Sequence, residues 1–142
     1  MKKRLVVVGM ILCLLITPMA AWGESSIYST GEVVTPYYTH ANMVKTIFSI
    51  TDGTAVCSIT VYEKAASPFD YSKLTVYLKK SSGTTVKTWT ATKYPNSMNY
   101  FNWNKEYALT ARGSYYIKAV NKLYKNGSLV ETITTTSVTD TY

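Results

Sequence analysis

From residue 43 onward the chain alternates apolar and polar positions with a period of two, and the 3.6-residue period of helices is absent. Thr46, Phe48 and Ile50 alternate with Ile47 and Ser49. That pattern predicts a strand with one buried face, since successive side chains of an extended chain point to opposite sides. The next segment, Ala55 to Glu63, places Ala55, Cys57, Ile59 and Val61 on one face. Between them lies Thr51-Asp52-Gly53-Thr54, a hairpin signal, because Asp and Gly both tolerate the positive φ of a tight two-residue turn. Lys64 to Asp70 contains Pro68 and reads as a connection. Tyr71 to Lys80 then sets Leu74, Val76 and Leu78 against Thr75, Tyr77 and Lys79.

Further strands are expected over Thr84 to Thr92, Met98 to Tyr107, Ser114 to Tyr124 and Leu129 to Val138. Ser81-Ser82-Gly83, Pro95-Asn96 and Asn126-Gly127 supply turns between them. The last segment is rich in threonine and suits a sheet edge. Strands recurring every 10 to 14 residues or so, with turn signals between, predict an all-β, antiparallel two-sheet sandwich of about seven strands over residues 43–142.

The first 42 residues are different. Lys2, Lys3 and Arg4 precede an apolar run from Leu5 to Ile16, and Ala21-Trp22-Gly23 supplies small residues at the positions a signal peptidase reads. This order predicts a secretory signal helix over residues 1–23, cleaved after Gly23. The run of 12 residues falls short of the roughly 20 needed to span a bilayer. Cys13 lies inside the run, not at its end after a small residue, so it does not read as a lipid anchor. Residues 24–42, rich in Ser, Thr and Tyr, read as an extended leader or edge strand, with Pro36 arguing against a central one.

Cleavage changes the chemistry. The full chain of 142 residues has 15 basic and 8 acidic residues, but residues 24–142 have 12 and 8, a net charge near +4. No basic block survives beyond Lys79-Lys80. An excess this small and dispersed reads as a solubility feature, so no nucleic-acid partner and no remaining membrane span are expected. One cysteine, Cys57, stays, which excludes an internal disulfide. Its place on an apolar strand face reads as core filling.

No cofactor or metal is expected. His40 is the one histidine, and the carboxylates are dispersed without the clustered ligand spacing a metal needs. No nucleophile-elbow or phosphate-cradling glycine motif occurs, and a pairing of His40 with Cys57 would require a mid-strand cysteine to be reactive. The expectation is therefore no enzyme. The compositional oddity is 13 tyrosines. Tyr100, Trp103 and Tyr107 stand out as a candidate ligand or partner surface, against the alternative that aromatics simply cover strands and edges.

The segment Leu109-Thr-Ala-Arg-Gly113-Ser-Tyr115-Tyr-Ile117-Lys-Ala119-Val-Asn121 resembles the tyrosine corner of fibronectin type III and immunoglobulin-like domains. The resemblance implies an immunoglobulin-like sandwich with Tyr115 as the corner residue in preference to Tyr116. More broadly, a lone cysteine in Thr54-Ala-Val-Cys57-Ser-Ile-Thr-Val61, the turn beginning Leu78-Lys-Lys-Ser-Ser-Gly-Thr and the ending Tyr124-Lys-Asn-Gly-Ser-Leu-Val-Glu-Thr-Ile133 are similar to small secreted proteins of Gram-positive, clostridia-type bacteria. That likeness implies a secreted sandwich and brings no catalytic residues. Two functional readings stay open: a non-enzymatic extracellular adhesion or recognition module for a surface protein or glycan, and a small bacteriocin-like toxin. The oligomeric state is not legible.

Overall fold

The computed structural model describes residues 38–142. The expected signal, 1–23, and residues 24–37 of the expected leader lie outside the described residues. Strand β1 (Ala41–Thr51) turns at Asp52-Gly53 into β2 (Thr54–Glu63). Both turn residues have positive φ, 48° and 74°, the geometry whose twist matches that of the flanking strands. Glycine is needed at 53 for a second reason: a Cβ there would stand 2.8 Å from the ring of Tyr142, which lies against the turn.

The connection from Lys64 leads to β3 (Tyr71–Lys80), followed by β4 (Thr85–Lys93), β5 (Tyr100–Ala108) and β6 (Ser114–Lys125). Asn126 and Gly127, again both at positive φ, turn β6 into β7 (Ser128–Thr136). A two-residue β8 (Asp140–Thr141) closes the chain. All pairings are antiparallel. One sheet has the order β1-β2-β5 and the other β4-β3-β6-β7, with β8 alongside the start of β6. This is an immunoglobulin-like two-sheet sandwich, with the fourth strand paired to the third.

The inward positions are those the alternation marks. Phe48, Cys57, Ile59 and Val61 from one sheet meet Leu74, Val76, Ile117 and Leu123 from the other, all at most 1% exposed. Tyr115 is the corner residue, as the resemblance implies: its hydroxyl donates to the Ala111 carbonyl at 2.6 Å. The bond ties the start of β6 to the loop that enters it, and burying the ring on that tether fixes where β6 begins.

The two flanks of the sandwich are closed by different chemistry. Where β1 faces β7 and β8, the closure is polar. Thr46 and Thr135 share a buried hydroxyl bond of 2.6 Å. Glu131 accepts the backbone N–H groups of Thr39 and His40, and Asp140 accepts that of Ile50. Where β5 faces β4, the closure is aromatic. Trp89 meets Trp103 at 5.7 Å and Tyr107 at 6.2 Å, both edge-on. The edge strands also carry guards against strand addition. Lys87 on β4 and Lys105 on β5 occupy inward register positions yet are exposed, a known device for blocking edge-to-edge pairing.

Candidate functional site

Tyr100, Trp103 and Tyr107 do not form one surface. Trp103 is 4% exposed and belongs to the core. Tyr107 shares its face and helps close the aromatic flank. Tyr100 points the other way, half-buried on the outer face of the three-stranded sheet, with its ring 5.5 Å from that of Tyr62. The expected ligand surface is corrected accordingly. Two of the three aromatics pack inward because β5 covers the flank of the core, and the signal that marks this is the alternation of Phe101, Trp103 and Tyr107 with Asn102, Asn104 and Glu106.

Cys57 lies at the centre of β2, fully buried, between register partners Phe48 and Lys105. Burial without a compensating partner disfavours the thiolate and pushes the thiol pKa up to about 12 from 9.0. His40 sits before the start of β1, where its Nδ1 is 3.0 Å from the Ser67 carbonyl. Since Phe48 pairs with Cys57 and Ala41 with Glu63, His40 is separated from the thiol by roughly 20 Å or more of strand. They cannot act together. Folded Cys57 is therefore expected to resist iodoacetamide at pH 8 and to react fully in denaturant. The raised pKa also has a sign for stability: folding holds the proton that the unfolded chain releases above pH 9. Relative to a Cys57→Ala variant, stability should fall with a slope near 1.4 kcal/mol per pH unit between about pH 9 and 12. Denaturant titrations across that range check it.

The carboxylates are structural. Besides Glu131 and Asp140, Glu63 accepts the Phe69 N–H at 2.8 Å and Asp70 accepts the Asn126 N–H at 2.6 Å. Four of the acidic side chains thus tie loops and flanks to strands. Among the described residues, no three His, Cys, Asp or Glu side chains come together as a metal site would need. No helix among them is long and apolar enough to cross a membrane.

The feature that the linear sequence conceals is the outer face of the five-stranded sheet. Strand register arranges its outward side chains in transverse rows. Lys73 stands directly across from Lys122, with Thr92 beyond Lys73 and Thr132 beyond Lys122. The next row runs Thr90, Thr75, Val120, Thr134, and the one after it Thr88, Tyr77, Lys118, Thr136. Lys79 then faces Tyr116, and at the opposite end Tyr71 faces Tyr124. The face holds four lysines and no carboxylate. The outer face of the other sheet, by contrast, carries Lys45 and Glu106 among neutral residues. These four lysines, dispersed along the chain, share one sheet face.

An open groove of about 580 Å³ lies on this face over β4, β3 and β6, its lining including Lys73, Thr75, Thr90, Thr92, Lys122 and Tyr124. One end is aromatic. Tyr71 and Tyr124 stack at 4.9 Å with planes 5° apart, and Tyr94, 66% exposed, tilts against Tyr71 at 6.0 Å. The Lys73 ammonium sits 5.0 Å from the centre of the Tyr124 ring, which holds it over the groove by cation–π attraction. Directly opposed like charges destabilise a sheet by roughly 0.2–1 kcal/mol. Lys122→Gln is therefore expected to raise stability by about that amount, measured by urea titration. A loss of stability would show that Lys122 has a compensating partner.

No family model matches the chain, and no curated protein matches it. Among solved structures, a "putative beta-galactosidase" from Bacteroides fragilis aligns with 66% of this chain and 15% of its own, at 14% identity and a TM-score of 0.43. The matched stretch is thus a small part of that protein, and the likeness is too low to bear on what this chain does.

Proposed function

We propose that the chain is a secreted, non-enzymatic recognition module that presents the outer face of its five-stranded sheet to a cell-surface glycan. The observation that carries this reading is the groove: Thr75, Thr90 and Thr92 line it with Lys73, Lys122 and Tyr124, and beyond Tyr124 stand Tyr71, stacked on it, and the exposed Tyr94. Hydroxyl and ammonium groups suit the hydrogen-bonding periphery of a sugar ring, and an aromatic face suits its apolar C–H side. The engagement of four carboxylates with backbone N–H groups, and the protonated, enclosed state of Cys57, favour recognition over catalysis.

The sequence pattern of residues 1–23, which reads as a secretory signal, supports the extracellular setting of this proposal. The test is a glycan array probed with the protein exported by a host expressing residues 1–142. Retention on at least one glycan class, weakened by Tyr94→Ala, is the expected outcome. Absence of all glycan binding, with killing of related bacteria by the same preparation, would replace this reading with the toxin.

A further inference from the structure

We infer that the ligand of this face is an anionic polysaccharide, a linear sugar polymer bearing carboxylate or phosphate groups. The inference rests on the glycan reading above and narrows it to a charge class. Lys73 and Lys122 are register partners at the groove, and the residues flanking that pair, Thr92 and Thr132, are neutral. Four structural carboxylates are engaged with backbone N–H groups elsewhere, while this face has none. Two lysines directly opposed across β3 and β6, on a face without a carboxylate, supply positive charges that a bound anion would neutralise together.

The cationic positions also define a track. Lys122 and Lys118 lie four residues apart on β6, and Lys79 lies across from Tyr116, two residues further along. At the rise of an extended strand this places positive charges over about 20 Å of the face. A ligand spanning that distance must be a chain of several sugars, not a single one. The threonine hydroxyls and the Tyr94 ring favour a sugar polymer over a polyanion without exposed sugar hydroxyls, such as duplex DNA, whose recognition rests chiefly on phosphate contacts.

The experiment measures binding of the exported protein to polygalacturonate, to uncharged dextran of similar length and to duplex DNA, over a range of salt concentrations. Three proteins are compared: the natural chain, Lys73→Gln/Lys122→Gln, and Lys45→Gln/Lys105→Gln, which makes the same charge change away from the face. Expected results are selective binding of polygalacturonate, weakened by salt, and a loss of about tenfold or more in the first variant. The second variant should stay within about twofold of the natural chain, since exposed charges away from the contact contribute little. Galacturonate trimers and longer oligomers should compete, and the monosaccharide should not. Thermal melts of both variants confirm that they fold.

Equal losses in both variants would overturn the inference, because net charge alone would then govern binding. Dextran bound as tightly as polygalacturonate would also overturn it, while leaving glycan recognition intact. Failure to bind any polysaccharide would remove both proposals. DNA bound more tightly than polygalacturonate, with the same lysine dependence, would assign the face to a nucleic acid instead.

Discussion

Replacing Trp103 with alanine is expected to lower the unfolding free energy by about 3–5 kcal/mol, the usual cost of emptying a buried aromatic site. The ring is 4% exposed and pairs edge-on with Trp89, which in turn meets Tyr107. Its loss opens the flank between β4 and β5 as well as leaving a cavity. At the slope of roughly 1–3 kcal/mol per molar urea expected for a small domain, the midpoint should fall by more than about 1 M. Tyr100→Ala, on the outer face against Tyr62, should remove one aromatic pair and lose only about 0.5–1.5 kcal/mol. Equal effects of the two substitutions would contradict the placement of Trp103 inside and Tyr100 outside.

The second large effect is expected at Tyr115. Tyr115→Ala removes one of the largest fully buried side chains and should lose about 3–5 kcal/mol. Tyr115→Phe keeps the ring and deletes only the 2.6 Å bond to Ala111, so it should lose about 0.5–1.5 kcal/mol. The difference between them separates packing from the tether, and both are measurable by denaturant titration. Tyr116→Phe, on the opposite face, should leave stability unchanged within about 0.5 kcal/mol. An effect at Tyr116 equal to that at Tyr115 would move the corner to the wrong residue.

These residues also show where sequence reasoning succeeds and where it stops. Tyr71 to Lys80 is a strand with the bounds its alternation implies, and Asp52-Gly53 and Asn126-Gly127 are the turns their backbone tolerance implies. Such features depend on neighbours in the chain, so they are legible there. Cys57 was readable for the same reason, flanked by a clean alternation. Strand β1 starts at Ala41, inside the expected leader, because it pairs up to Glu63 across the hairpin.

The placement of Trp103 depends on β5 lying beside β2 and across from β4, which no local pattern encodes. The inward face of β5 itself is legible, since Phe101, Trp103 and Tyr107 alternate with Asn102, Asn104 and Glu106; which strands flank it is not. The lysine track is harder still. Lys73 and Lys122 are 49 positions apart and meet only through the β3–β6 register. Counting basic residues along the chain does not reveal that four of them share one face, because only sheet topology brings them there. The polar flank has the same origin: Thr46 and Thr135 meet across the sandwich, 89 positions apart.

An uncompensated row of lysines on a structured face is consistent with a site that trades stability for binding. Lys122→Gln probes the stability side of that exchange. The most direct test of the binding side is an NMR titration of the exported, isotope-labelled protein with galacturonate oligomers. Amide shift changes are expected to concentrate at Lys73, Thr75, Thr90, Lys118 and Lys122, with β1, β2 and β5 nearly silent. Changes centred on Lys45, Thr60 and Asn102, or none at saturating oligomer, would contradict this.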